Sequence, residues 1–352
     1  MTRNGVLVFP ATAPRHARRC ACAHVLSLEH VANRPIAQHA FEEMIEAGVE
    51  EVVVAGPADV LTDVRASLSH RPGSRPKVDY AICAERSELV TTLQAAAPLV
   101  GAAPCIVHLG DGLLEEPLAD HVAAMQEDSL DLLLIGDRPA AGGFIGIKPL
   151  AHGQGPCGPG EGVCEPGIAV FGPGAFRDAC RAASSDARAT GLHALARRLA
   201  AQGAQVEVST TDGWRRYRGN PQDLLEVNRI ALDRLPASIR RGASHHNRIE
   251  GRVKIDPSAS VTTSVIVGPV VIGEGAEVNN AYIGPYTSIG AHARIEGVEI
   301  ERSIILPGAR VMHVGGRVVS SLVGRGAHVF RDFSLPRAMR LFVGEGDEVA
   351  LC

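Results

Sequence analysis

Tyr282-Ile283-Gly284-Pro285-Tyr286-Thr287-Ser288-Ile289-Gly290 places two isoleucines six positions apart, each followed directly by glycine. A step of six fits neither the 3.6-residue helical turn nor the two-residue alternation of a strand. The spacing continues on both sides, at Ile255, Val261, Val267, Ile272 and Val278, then at Ile295, Ile300, Ile305 and Val311, and again at Val323 and Val329. Gly268, Gly273 and Gly324 follow such positions as Gly284 and Gly290 do. This is the hexapeptide repeat of a parallel β-helix. Ile255, Ile272 and Ile289 are seventeen apart, so each coil has three short faces, and the run predicts about four coils. Such a stack buries aliphatic residues coil on coil and needs few aromatics, in keeping with an aromatic content of 4%.

Upstream the period changes. Short apolar runs alternate with helical stretches, the pattern of a doubly wound parallel α/β sheet. Strands are expected at Gly5–Phe9, Glu51–Ala55, Val78–Cys83, Cys105–Leu109, Leu132–Ile135, Gly167–Phe171 and Gln205–Ser209. Helices are expected at Ile36–Ala47, Ala58–Leu68, Glu88–Ala96, Pro117–Met125, Gly174–Ala182, Gly191–Gln202 and Pro221–Leu235. Phe41, Met44 and Ile45 share a face of the first helix, and Gly48 suits its C-terminus. Val52, Val53 and Val54 in succession suit a strand buried on both faces. Two domains result, 1–240 and 241–352, with Pro236–Arg252 as the expected linker and its His245–His246 pair read as a solvated loop.

The chain has 352 residues, 45% hydrophobic and 21% charged, which argues for a folded protein. A formal charge of -4 gives no global field for nucleic acid or an anionic membrane, so neither is expected as a partner. No apolar run approaches the ~20 residues that span a bilayer, and the opening Val6–Phe9 run is soon broken by Pro10, so a cytoplasmic protein is expected. Eight cysteines are too dilute for a disulfide scaffold.

The order of α/β domain, helix Asp223-Leu224-Leu225-Glu226-Val227-Asn228-Arg229 and hexapeptide coils resembles the long form of glucose-1-phosphate thymidylyltransferase. Arg248-Ile249-Glu250-Gly251, Asn33-Arg34-Pro35-Ile36 and Leu109-Gly110-Asp111-Gly112 add to the likeness, which spans nearly the whole chain. The resemblance implies a Rossmann-like nucleotidyltransferase domain followed by a left-handed β-helix. It also implies transfer of a nucleotidyl group from a nucleoside triphosphate to a sugar 1-phosphate with Mg²⁺, and places a metal-binding carboxylate at Asp111.

Such transfer rests on positioning and charge neutralisation, so it needs close backbone approach, phosphate-binding cations and metal carboxylates. The family's glycine-rich G-G-x-G-T-R loop corresponds to Ala11-Thr12-Ala13-Pro14-Arg15-His16, without a glycine. Pro14 has no amide hydrogen to offer a phosphate, and His16 stands at the catalytic arginine position. Arg15 is the candidate phosphate contact, with Arg18 and Arg19 nearby; a solvated basic cluster is the alternative. The signature's lysine falls on Leu26, and its Gly-Leu-Ala on Glu88-Leu89-Val90. Neither the Glu-Lys-Pro lysine in His152–Pro166 nor the sugar-contacting glutamate near Ala189–His193 has a counterpart. Trp214-Arg215-Arg216-Tyr217-Arg218-Gly219 carries Tyr217 where the second metal aspartate belongs, which leaves Asp111 as the lone metal candidate. One carboxylate holds Mg²⁺ weakly.

These departures predict a noncatalytic scaffold or regulatory partner with no resident cofactor, Mg²⁺ entering only with residual nucleotide binding. Expected partners are other copies of the chain, through the β-helix, and an active paralogue, as in the related GDP-mannose pyrophosphorylases. A sugar phosphate or nucleotide is the expected ligand. The alternatives are altered chemistry on a sugar or cyclitol phosphate, and an active thymidylyltransferase with a rearranged loop. Three further groupings stay open: His16, Cys20, Cys22 and His24 as a zinc loop, Cys157 with Cys164 as a redox or metal pair, and His292, His313 or His328 as a base for acyl transfer.

Overall fold

Two ways of burying β-branched residues divide the chain. The computed structural model describes residues 3–9, 26–68, 76–85, 87–137, 166–183, 191–211, 213–236 and 243–331. In the first half, all seven expected strands join one Rossmann-like sheet. Its order is Val206–Thr211, Leu132–Asp137, Pro166–Phe171, Cys105–His108, Arg3–Val8, Val49–Pro57 and Lys77–Cys83. The valine run works as its sequence suggests. Val52 and Val54 pack with helices Ile36–Glu46, Ala58–Ser67 and Leu118–Glu127, whereas Val53 faces helices Leu89–Val100, Ala175–Ala183 and Leu192–Ala201. Gly48 takes a φ of 86° just after the first helix, the left-handed geometry that glycine adopts without strain.

Two expectations need correction here. The sheet is not wholly parallel, because Pro166–Phe171 runs antiparallel to both of its neighbours. Its apolar run reads the same in either direction, so only the connection could have revealed this. The helix expected to end at Ala96 continues through Pro98 to Val100. Burial of Ala97 and Val100 in the core outweighs the one hydrogen bond that proline cannot donate.

From Ala243 the chain winds into a left-handed β-helix whose three parallel sheets hold six, five and five strands. That makes five complete coils and the first strand of a sixth, one more coil than the spacing predicts. The extra coil lies in the expected linker, where Ala243–His245 and Arg248–Glu250 pair with the next coil. Arg248 and Glu250 point outward around Ile249, so their charges hide an ordinary coil position.

Register is strict. Ile255, Ile272, Ile289, Ile305 and Val323 stack in one column, and Val261, Val278, Ile295, Val311 and Val329 in another. The third column is Ile249, Ile266, Ile283, Ile300 and Val318. Ile266, fully buried, therefore replaces Val267 as the inward residue of its strand. At one corner His246, Thr263, Asn280 and Gly297, each seventeen residues after the last, have positive φ of 56°, 49°, 48° and 60°. Non-glycine residues there oppose a cost of about 1–2 kcal/mol each, which the stacked column must outweigh.

The halves meet along helix Pro221–Asp233. Leu224, Val227, Ile230 and Ala231 join Val271, Ile304 and Leu306 of the β-helix in one apolar cluster. Buried Asn228 ties three segments together: its Oδ1 accepts from the Ala32 amide at 2.8 Å and from Ser288 Oγ at 2.7 Å, and its Nδ2 donates to Tyr286 O at 3.3 Å. Asn33 Nδ2 adds a 2.6 Å bond to Ile289 O.

Candidate functional site

Strand Cys105–His108 runs into Leu109-Gly110-Asp111, the strand end that the resemblance singles out. Gly110 turns the chain at φ 69°, and its amide donates to His108 Nδ1 at 2.8 Å. Acceptance at Nδ1 places the ring's proton on Nε2, which lies 3.4 Å from Glu43 Oε2 in a nearly dry pocket. Glu43 Oε1 accepts from Arg234 Nη2 at 2.9 Å. Trp214 meets the His108 ring edge-on at 5.7 Å, and its indole occupies space that a Cβ on Gly167 would enter. Nothing in the sequence pattern signals this Arg234–Glu43–His108 chain, because its members are far apart and lie beneath the turn.

Beyond the turn, Gly112–Leu114 pairs antiparallel with Trp214–Arg216, and the Tyr217 amide donates to Asp111 O at 2.8 Å. The hairpin brings Arg216 Nε to 2.7 Å from Asp111 Oδ2, with the side chains only 17% and 15% exposed. Asp111 Oδ1 is buried with no hydrogen-bond partner among the described residues. Leu26 and Tyr217, which the resemblance sets at the signature's lysine and second aspartate, pack in the same apolar cluster with Val31, Ile36, Leu113 and Leu224. Glu88 is exposed at the start of helix Leu89–Val100, away from this cluster.

The Asn33-Arg34-Pro35 segment is a structural joint. Arg34 pairs with Glu42 at 2.6 Å and donates to His39 Nδ1 at 3.3 Å, while His39 Nε2 donates to Val31 O at 3.0 Å. Burial, then the neighbouring Arg34, pushes the His39 pKa down to about 3. His30 falls to about 4, chiefly through burial and then through Arg325 of the β-helix, whose Nη2 donates to its Nδ1 at 2.8 Å.

The remaining candidates are scattered. Arg15, His16, Cys20, Cys22, His24, Cys157 and Cys164 lie outside the described residues. Of the three β-helix histidines, His313 stands 3.7 Å from Glu296 as an exposed pair, and His328 lies in the exposed last strand. Gly275 lacks the Cβ that would collide with the His292 ring. Among the described residues no three His, Cys, Asp or Glu side chains form a metal cluster. None of the described helices is long and apolar enough to cross a membrane. Sequence reasoning isolated Asp111 and missed its partner Arg216, although the three arginines of Trp214–Arg218 were the available signal.

Comparison with known proteins agrees with the resemblance. A glucose-1-phosphate thymidylyltransferase of Streptomyces griseus is 28% identical over 330 residues, 90% of each chain. The low-salt glycan biosynthesis nucleotidyltransferase of Haloferax volcanii is 27% identical over 357 residues, 99% of each. A glucose-1-phosphate thymidylyltransferase of Streptomyces antibioticus is 37% identical over 159 residues, 45% of this chain and 44% of that one. No protein-family model matches the chain. A Rossmann-like sheet, a left-handed β-helix docked on its last helix, and homologues of this kind along the whole length identify the chain as a sugar-1-phosphate nucleotidylyltransferase-like protein.

Proposed function

We propose that the chain is a noncatalytic member of the sugar-1-phosphate nucleotidylyltransferase class, serving as a scaffold or regulatory partner. The observation that carries this reading is the ion pair between Asp111 and Arg216, which commits the one retained metal carboxylate to a protein cation. Leu26 and Tyr217 support it, since side chains packed in an apolar cluster neither neutralise phosphate nor ligate Mg²⁺. Pro14 in place of a loop glycine supports it from the sequence. Among the described residues, the other two β-helix sheets take no part in the cluster with helix Pro221–Asp233, and assembly with further copies or with an active paralogue is assigned to them.

A pyrophosphate-release assay tests the reading. Nucleoside triphosphates offered with glucose 1-phosphate and Mg²⁺ should give no signal above that of the Asp111→Ala variant. Release abolished by that substitution would overturn it. The relatives named thymidylyltransferase favour a second reading, an active enzyme with a rearranged loop, and thymidine triphosphate is the substrate that would establish it.

A further inference from the structure

The stack of coils ends on an open layer. Leu322–Val323 and His328–Phe330 are the last strands of their sheets among the described residues, and Val329 and Phe330 are 37% and 62% exposed. Below them, each coil passes its amides to the next in fixed series. Ser260, Glu277, Arg294 and Arg310 donate to the carbonyls of Ala276, Ala293, Ala309 and Ala327 at 2.8–2.9 Å, and Gly273, Gly290 and Leu306 donate to those of Ile289, Ile305 and Val323. Next in the two series stand His328 and Gly324, whose amides face the layer above. Backbone donors along such an edge require acceptors.

The sequence beyond the described coils matches this edge. Leu341-Phe342-Val343-Gly344-Glu345-Gly346-Asp347-Glu348-Val349 repeats Val270-Val271-Ile272-Gly273-Glu274-Gly275-Ala276-Glu277-Val278 of an inner coil, with identity at Gly344, Glu345, Gly346, Glu348 and Val349. Val343 and Val349 are six apart, as are Ile272 and Val278, Ile305 and Val311, and Val323 and Val329. Gly346 corresponds to the corner column in which Gly275, Gly308 and Gly326 take φ of 59°, 71° and 62°, a geometry glycine adopts without strain. Asp347 corresponds to Ala276, Ala293 and Ala309, which are buried under the following coil. A carboxylate suits that column only in a final layer, whose upper side meets water. We propose that residues 341–350 of the same chain seat on the open end as its last two strands. Val343 then stacks on Val323 and Val349 on Val329, and the carbonyls of Asp347 and Val343 accept from the amides of His328 and Gly324. Val343 follows Val329 by fourteen residues, where the corresponding steps, from Val261 to Ile272, Val278 to Ile289, Ile295 to Ile305 and Val311 to Val323, are eleven, eleven, ten and twelve. The chain therefore has the length to close one more coil on itself. An end closed in this way blocks edge-to-edge addition of further copies and leaves assembly to the sides of the β-helix, whether or not the chain transfers nucleotides.

Hydrogen exchange of the full chain, read at the Gly324 and His328 amides, tests it. Both should exchange at least about a hundredfold more slowly than in a free peptide, at a rate independent of protein concentration. Val343→Asp combined with Val349→Asp should abolish that protection while residues 253–311 keep theirs, which confirms that the variant folds. The milder Val349→Ala should speed exchange at His328 roughly tenfold, and Glu348→Gln, on the outer side, should leave it unchanged. Exchange at the free-peptide rate in the parent chain overturns the proposal, as does protection that survives the valine substitutions. Protection that falls on dilution also overturns it and assigns the seat to the same segment of a second copy.

Discussion

The β-helix and the Asp111 hairpin respond differently to a changed residue. In the coils each inward position has a neighbour above and below with the same requirement, so Ile255, Ile272, Ile289 and Ile305 enforce one another. A departure there costs stability, which selects against it whatever the protein does. Beside the hairpin, Tyr217 and Leu26, which the resemblance sets at a metal carboxylate and a lysine, pack in the cluster that joins the two halves. A site residue replaced by an apolar one can thus stabilise the fold while removing a chemical group. On the noncatalytic reading proposed above, architecture and chemistry part company at this point in the chain.

The sharpest way to break this contrast is at the corrected register position. Ile266 is fully buried in its column, and truncation leaves a cavity that stacked coils cannot collapse to fill. Ile266→Ala should cost about 2–5 kcal/mol in urea unfolding, whereas Val267→Ala, on the outer side, should stay within about 0.5 kcal/mol. Equal losses would show that the coil is not held by its inward columns.

The junction is expected to be intermediate, because it depends on few bonds but buries them. Asn228→Ala removes the acceptor shared by the Ala32 amide and the Ser288 hydroxyl. Buried donors left without a partner should lower unfolding stability by about 2–3 kcal/mol. A double-mutant cycle with Asn33→Ala, which loses the bond to Ile289, should show coupling, since both residues hold one turn to one coil. Strict additivity would mean that the two halves are joined by their apolar contact alone.

These regions also differ in how far their sequences could be read. The seven sheet strands announced themselves by continuous apolar runs, and the coils by a spacing repeated over several turns. Pro166–Phe171 kept its direction hidden because a fully buried run carries no polarity. Arg248 and Glu250 concealed a coil by placing charges on either side of Ile249. Asp111 was legible through its family motif. Arg216 was not, because its pairing with Asp111 depends on a hairpin between segments that lie 105 residues apart. The Glu43–His108 contact was less legible still, since no motif includes either residue.

The smallest expected effect separates the junction from the coils by pH. His39 is buried beside Arg34 and carries a pKa of about 3, against 6.5 for a free histidine. An unfolded chain therefore takes up this proton first. Stability from the neutral, buried ring is fully present above pH 6.5 and falls as pH drops toward 3. Between pH 7 and 5.5 the loss from His39 should be about 1 kcal/mol. His30 has the same sign and its own depressed value of about 4. Glu42, held below its usual range by Arg34 although burial opposes this, adds to the loss only at more acidic pH. His39→Gln can still donate to Val31 O and should flatten part of the slope in paired unfolding curves. Hydrogen exchange at pH 5.5 should then show lost protection first in residues 30–40, with the coils of 253–311 unchanged. An undiminished slope in His39→Gln would assign the acid sensitivity to another part of the molecule.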